Sequence, residues 1–320
     1  MYACKILADS ISPAGHRITS FEATFPRIVL AEANTHCMLS RNSASSRARP
    51  VASVIAALKD DSFKPEAFGR NQKGMQPGEA LSADEGVEAS DSWGRAKWNA
   101  IREAEFLANL GVHKQYANRL LEPFSWHTAV FTATDWDNFS HLRVNPLAQG
   151  EIQKIAQMMQ TARDESTPRA IGYGEWHLPY VEPEEARDFF GNTDPVKVSV
   201  ARCARVSYLT QNGVREPAED IELYERLVTS GHMSPLEHVA RPMTPRELEL
   251  VEAWDVAFGD GPTLRTQVPR GTVPKIGMTD GELAPITYVR GPLHYAAKLN
   301  GWFSRRSFVR GEHDMLGAHR

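Results

Sequence analysis

The chain has 320 residues and a mass of 35.7 kDa, 42% of them hydrophobic and 24% charged, with 13 Phe, 8 Tyr and 7 Trp to close an interior. That composition excludes a disordered chain and a coiled coil, and the length suits two domains of ordinary size or one with an internal repeat. With 36 Lys and Arg against 40 Asp and Glu the formal net charge is −4, so the surface is no polyanion clamp: nucleic acid is not an expected partner and any phosphate site must be local.

No apolar run approaches the ~20 residues of a membrane span. Residues 1–26 interrupt every apolar stretch with Lys5, Asp9, His16, Arg17 or Glu22, unlike a secretory signal, so the sequence reads as cytoplasmic. Cys4, Cys37 and Cys203 stand far apart, outside metal or disulfide spacing, and each is expected to be a thiol.

Residues 17–31 read as a strand passing into a helix, and 44–59 as a helix ending near Lys59. Between Lys64 and Gly86 the chain carries Gly69, Gly74, Gly78, Pro65 and Pro77, which predicts a long irregular excursion. Helical periodicity returns at Trp98, Ile101, Ala104, Leu107 and Ala108, and again at Ile152, Ile155, Ala156 and Met159, the spacing of a helix buried on one side. The acidic, Pro-rich text around Pro168, Pro179, Pro183 and Pro195 predicts a linker over 168–195, dividing an N-terminal half, 1–167, from a C-terminal half, 196–320. Beyond it, Val196 to Val200 reads as a strand and Ile221, Tyr224, Leu227 and Val228 as a helix. Thr244-Pro245-Arg246-Glu247 predicts another helix start, with a capping Thr, a proline at the first helical position and a glutamate three after the cap. Residues 259–292 hold six glycines and five prolines and predict a second long loop, before the aromatic and basic segment Gly301-Trp302-Phe303-Ser304-Arg305-Arg306.

The densest polar cluster runs from His36 to Arg47. Its four serines, two arginines and Asn42 at an expected helix start suit a phosphate or a nucleotide, through short donors and bidentate guanidinium groups. A Ser-rich loop that caps a helix uses the same residues. Ser234-Pro235-Leu236-Glu237-His238 has the form of a capping box, a structural device when read alone. Arg305, Arg306 and Arg310 beside Trp302 and Phe303 fit an anionic or aromatic ligand, or equally the solvated face of an amphipathic helix. His113, His127, His141 and His177 share no ligand spacing, so no metal is assigned.

Taken together these segments resemble the flavin-dependent thymidylate synthases, which methylate C5 of dUMP with methylenetetrahydrofolate while FAD carries the hydride. His36, Ser40, Asn42, Ser45 and Arg47 fall in the register of that family's signature. Ala204-Arg205-Val206-Ser207-Tyr208 and His232-Met233-Ser234-Pro235-Leu236-Glu237-His238 are similar to a further ordered pair. Asn138-Phe139-Ser140-His141-Leu142-Arg143, leading into Glu151-Ile152-Gln153, looks like its Asn-rich helix. The ordered pair precedes the signature in the family and follows it here. Thr35 and Cys37 stand where the family has arginines, and Ser43 where it has Glu. Trp302-Phe303-Ser304-Arg305-Arg306 with Glu312 is similar to the signature a second time, its Ser and Asn missing.

The resemblance implies an α+β fold of the flavin-dependent thymidylate synthase type: a mixed sheet with helical layers, in two related halves, the first facing the nucleotide and the second the flavin. It implies that Arg143 polarises the pyrimidine, with Glu32, Ser45, Arg47 and Asn118 or Arg119 also at the nucleotide. His36, Ser40, Asn42, Asn138, Ser234, Glu237, Arg305, Arg306 and Glu312 fall to FAD, with NADPH as reductant and a homodimer or homotetramer as the assembly. Glu32 replaces a Gln frequent in the family, and a carboxylate there can accept from an exocyclic amine, which keeps cytosine beside uracil as the base. Two other outcomes share the scaffold: flavin-dependent C5 hydroxymethylation of dUMP or dCMP, and a non-catalytic nucleotide-binding relative. Cys37 has the local chemistry of a nucleophile, but the resemblance makes it a substituted cofactor contact.

Overall fold

A computed structural model of the chain describes residues 1–189, 193–208, 216–249 and 299–309, and the backbone of four short strands between Val273 and Val289. β1 (Ala3–Ile11) and β2 (Arg17–Pro26) form a hairpin, its turn made by Gly15 at φ 84°. α1 (Leu30–Asn34) then leads to β3 (Ser40–Ser43), α2 (Val51–Asp60), α3 (Ala83–Asn109), α4 (Lys114–Ala117) and β4 (Trp126–Ala133). α5 (Asp137–Arg143), α6 (Gly150–Glu165), β5 (Arg169–Ala170), α7 (Pro183–Asp188), α8 (Pro195–Arg205), α9 (Pro217–Thr229) and β6 (Ala240–Pro242) follow. β7 (Val273–Lys275), β8 (Met278–Thr279), β9 (Glu282–Leu283) and β10 (Thr287–Val289) precede β11 (Trp302–Ser304), which pairs with β6.

The central sheet has the order β3-β4-β2-β1-β5, antiparallel except where β5 joins β1 in parallel, so the sheet is mixed, as the resemblance implied. Alternation along each strand gives its two faces opposite characters. Phe21, Ala23 and Phe25 of β2 with Ala129, Phe131 and Ala133 of β4 form an apolar face. The side of α6 carrying Ile152, Ile155, Ala156 and Met159 seals it, the four positions its periodicity predicted. Ile152, Ile155 and Met159 each contribute about 1.5–3 kcal/mol on burial. The opposite face carries Ser20, Ser40, Asn42 and Thr132, and the C-terminal half lies against it.

α3 starts where Ser82 and Glu85 make a capping box, so the irregular excursion ends just before Ala83. Ile101 and Ala104 of its apolar stripe are buried and Trp98 is exposed. The helix expected over 44–59 begins only at Val51, because Pro50 precedes it and residues 40–43 are drawn into the sheet by β4. Val196 to Val200 is not a strand. Asp194 caps the Val196 N–H at 2.9 Å, Pro195 occupies the first turn, and α8 is buried nearly all round, which erases the one-sided pattern by which a helix is read. α9 and the stretch 245–249, capped by Thr244, are helical where the sequence placed helices.

The 168–195 segment is packed: Ile171, His177, Tyr180 and Val181 are buried, and His177 exchanges backbone hydrogen bonds with Ala240. At Gly301, φ is 76° and a Cβ would lie 2.3 Å from the His16 ring, so only glycine lets the end of the described chain close on the β1–β2 turn. Trp302 and Phe303 are core residues, so these two rings present no face to an aromatic ligand. The expected loop 259–292 lies largely outside the described residues. Among the described residues no helix is long and apolar enough to cross a membrane.

Candidate functional site

β3 and the turns at its two ends carry the signature residues, and strand alternation divides them. Ser40 and Asn42 point to the polar face, where Ser40 is fully buried. Asn42 Nδ2 donates to the Cys203 carbonyl at 2.8 Å and to Ser207 Oγ at 3.4 Å, and Asn42 Oδ1 accepts from Ser234 Oγ at 3.4 Å. Glu237, three residues after Ser234, forms an ion pair with Arg306. Arg305 Nε donates to the Tyr224 hydroxyl at 3.2 Å. Asn42, Ser207, Ser234, Glu237 and Arg306, from four separate stretches of chain, therefore occupy one region, with Ser234 exposed to solvent.

A second cluster lies at the preceding end of β3, where His36 meets α5. Arg143 Nε donates to His36 Nε2 at 2.8 Å, and its Nη2 donates to Thr35 Oγ1 at 2.9 Å and to the Glu32 carbonyl at 3.2 Å. The His36 ring packs edge-on against Phe139 at 5.0 Å and hydrogen-bonds the Asn138 side chain. Burial first, then the Arg143 charge, hold the His36 pKa below its ordinary value, so the ring is neutral and free to accept from Arg143. Glu32 Oε2 is buried without a donor. Arg41, an unassigned residue of the signature, donates from Nη1 to the carbonyls of Ala33, Asn34 and His36 and so closes the end of α1.

The third group is the loop after β3. Ser45 and Arg47 are exposed, and the Arg47 N–H reaches Ser45 Oγ at 3.4 Å. Asn118 is buried, its amide donating to the carbonyls of Ser46 at 2.8 Å and Arg49 at 2.9 Å; it braces this loop from beneath. Arg119 points outward and pairs with Glu122 at 2.9 Å, as does Arg27. Glu122, which also accepts from Ser46, is the hub that sequence reading missed; nothing in its local sequence separates it from a surface carboxylate. Glu312 and Arg310 lie outside the described residues. Among the described residues no group of His, Cys, Asp and Glu side chains is arranged to hold a metal ion. Cavities of about 1400 Å³, between the 65–80 excursion and α6, and about 450 Å³, beside β1, carry none of the candidate residues.

Cys37 is exposed and its thiol points to the Thr35 carbonyl at 3.7 Å. Arg41, the cation nearest in sequence, is engaged by three carbonyls. If the chain has the flavin-dependent activity that the resemblance implies, Cys37→Ser is expected to retain turnover, with weaker flavin binding as its main effect. Loss of product with flavin still bound, or a Cys37 adduct to a 5-fluoropyrimidine nucleotide by mass spectrometry, would make it the nucleophile.

No protein-family model matches the chain, and no curated protein does. Among solved structures, the UMP/dUMP methylase PolB from Streptomyces cacaoi bound with 5-Br UMP is 18% identical, with a TM-score of 0.44, over 52% of this chain and 89% of that chain. The same methylase bound with 5-Br dUMP is 17% identical, with a TM-score of 0.42, over 52% of this chain and 91% of that chain.

Proposed function

We propose that the chain is a thymidylate synthase-like enzyme that methylates C5 of a pyrimidine deoxynucleotide, with FAD as cofactor, methylenetetrahydrofolate as one-carbon donor and NADPH as reductant. The observation that carries this reading is the meeting of Asn42 with Ser207 and Ser234. Stretches grouped only by resemblance, and rearranged along the chain, converge in space. A duplication in which 1–167 keeps the nucleotide-facing part and 196–320 the flavin-facing part accounts for that convergence, and a homo-oligomer belongs to the same reading.

The donor set suits FAD. The exposed Ser234 hydroxyl, oriented by Asn42, offers a group for the ring edge, and Arg305 and Arg306, held by Tyr224 and Glu237, offer guanidinium groups for its phosphates. When bound, FAD supplies the hydride chemistry. Arg47 with Ser45 presents an exposed guanidinium and hydroxyl to the nucleotide phosphate. Arg143, oriented by His36 and Thr35, stabilises the charge that develops on the base as C5 becomes nucleophilic.

Glu32 keeps cytosine as an alternative base within this scheme, since a carboxylate accepts from an exocyclic amine and would oppose a uracil carbonyl. The test begins with colour and product. Purified protein should show a flavin spectrum, and product mass with dUMP and with dCMP separates methyl from hydroxymethyl transfer and one base from the other. Glu32→Gln should move the dUMP-to-dCMP preference toward dUMP by about tenfold, near 1.4 kcal/mol. A chain that binds nucleotide but never flavin would be the non-catalytic relative.

A further inference from the structure

α3 uses only part of its apolar surface within its own chain. Ile101 and Ala104 pack with Val54, Ile55 and Leu58 of α2, whereas Val87, Trp98, Phe106 and Leu110 are exposed, Trp98 at 53% and Phe106 at 57%. At about 3.6 residues per turn, Val87, Asp91, Gly94, Trp98, Arg102 and Phe106 fall on one side of the helix, opposite the inward-packed Ala100 and Ala104. That side is also polarised in charge. Asp84, Glu88 and Asp91 precede Gly94, and Arg95 and Arg102 follow it. Of the carboxylates in the second half, Glu105 is taken by Lys59 and Glu103 by Arg102, each at 3.1 Å. A Cβ on Gly94 would meet nothing within 4 Å, so no contact inside the chain calls for a residue that weakens a helix interior.

We propose that this side of α3 binds a second copy of the chain, the two helices packing antiparallel about a twofold axis near Ala96 and Lys97. The charge pattern selects that occupant, because the acidic and the basic half lie on one helix and a reversed copy supplies the complement of each. A parallel copy would set acid against acid. In the antiparallel register Asp91 of each copy meets Arg102 of the other. Trp98 of each copy lies over Gly94 of the other, where the missing side chain leaves room for the indole. Val87 and Phe106 then flank the seam at its two ends, and the exposed apolar stripe is covered. With 27 residues the helix is about 40 Å long, so these contacts repeat on both sides of the axis along an extended interface. The homo-oligomer of the proposed function thereby gains a defined surface, one that involves none of the candidate nucleotide or flavin residues.

Sedimentation velocity at micromolar concentrations, without nucleotide or flavin, tests this. The wild-type chain should sediment as a dimer. Asp91→Arg and Arg102→Asp should each raise the dissociation constant at least tenfold, and an equimolar mixture of the two variants should recover the dimer, since each supplies the charge the other lacks. Gly94→Gln should still weaken association at least tenfold while raising the urea midpoint, measured where both proteins are monomeric. A damaged fold cannot produce that pair of results. A wild-type chain that stays monomeric, single variants that associate as it does, or a mixture that stays apart would each overturn the interface. A dimer that transfers no carbon to C5 refutes only the proposed function, and transfer by a monomer refutes only the interface.

Discussion

Asp220→Ala is expected to destabilise the chain by about 3–5 kcal/mol, the cost of breaking a buried ion pair from one side. Asp220 on α9 is fully buried and accepts from Arg202 Nε at 3.0 Å and from Arg205 Nε at 2.7 Å, both on α8. Arg202, itself 2% exposed, also binds Glu185 and the Tyr180 carbonyl. Burial opposes its charge, but its hydrogen bonds to Glu185 and Asp220 prevail and raise its pKa. Without Asp220 the desolvated guanidinium loses its one fully buried carboxylate partner and keeps Glu185. The loss would be a large part of the 5–15 kcal/mol typical of a folded protein, and a shift of the urea midpoint at constant slope measures it. Asp220→Asn, which keeps one acceptor, should lose less. An Asp220→Ala midpoint equal to wild type would show that the α8–α9 contact is held by its apolar residues alone. The effect reaches the site, because α8 supplies the Cys203 carbonyl that holds Asn42.

The same helix marks the limit of what the sequence discloses. α6 was legible because one side faces the sheet and the other solvent, so its pattern survives at Ile152, Ile155, Ala156 and Met159. α8 was not, since burial on all sides leaves a β-branched run that reads as a strand. β3 was illegible for the opposite reason: Ser40-Arg41-Asn42-Ser43 has no strand propensity, and its extension is imposed by β4. At the site, the grouping of Asn42 with Ser207, Ser234 and Glu237 was legible only through resemblance, because no local pattern ties residues so far apart. Strand alternation then explains why Arg41, between two residues of the polar face, is turned away to close α1. The brace at Asn118 depends on where α4 and the 44–50 loop meet, and neighbouring residues in sequence carry no trace of it.

Arg143→Ala is expected to lower turnover by about 10²–10³-fold, the usual cost of removing one fixed donor from a developing charge, while leaving flavin binding largely intact. The guanidinium is fixed before any substrate arrives, with Nε on His36 and Nη2 on Thr35 and the Glu32 carbonyl. On the proposed function that fixation would make it effective, since a donor already oriented needs no reorganisation as the reaction proceeds. The substitution has a second readout. The Arg143 charge helps hold the His36 pKa down, so its loss should raise the pH at which the ring titrates, though burial still keeps it below the ordinary value. Histidine NMR titration reads that shift without turnover. Arg143→Lys should preserve most of the electrostatic effect on His36 but not the rate, because an ammonium cannot hold His36 and Thr35 together in one plane. Full turnover in Arg143→Ala together with the expected His36 shift would reduce Arg143 to a brace for His36 and move base polarisation to another donor at the nucleotide.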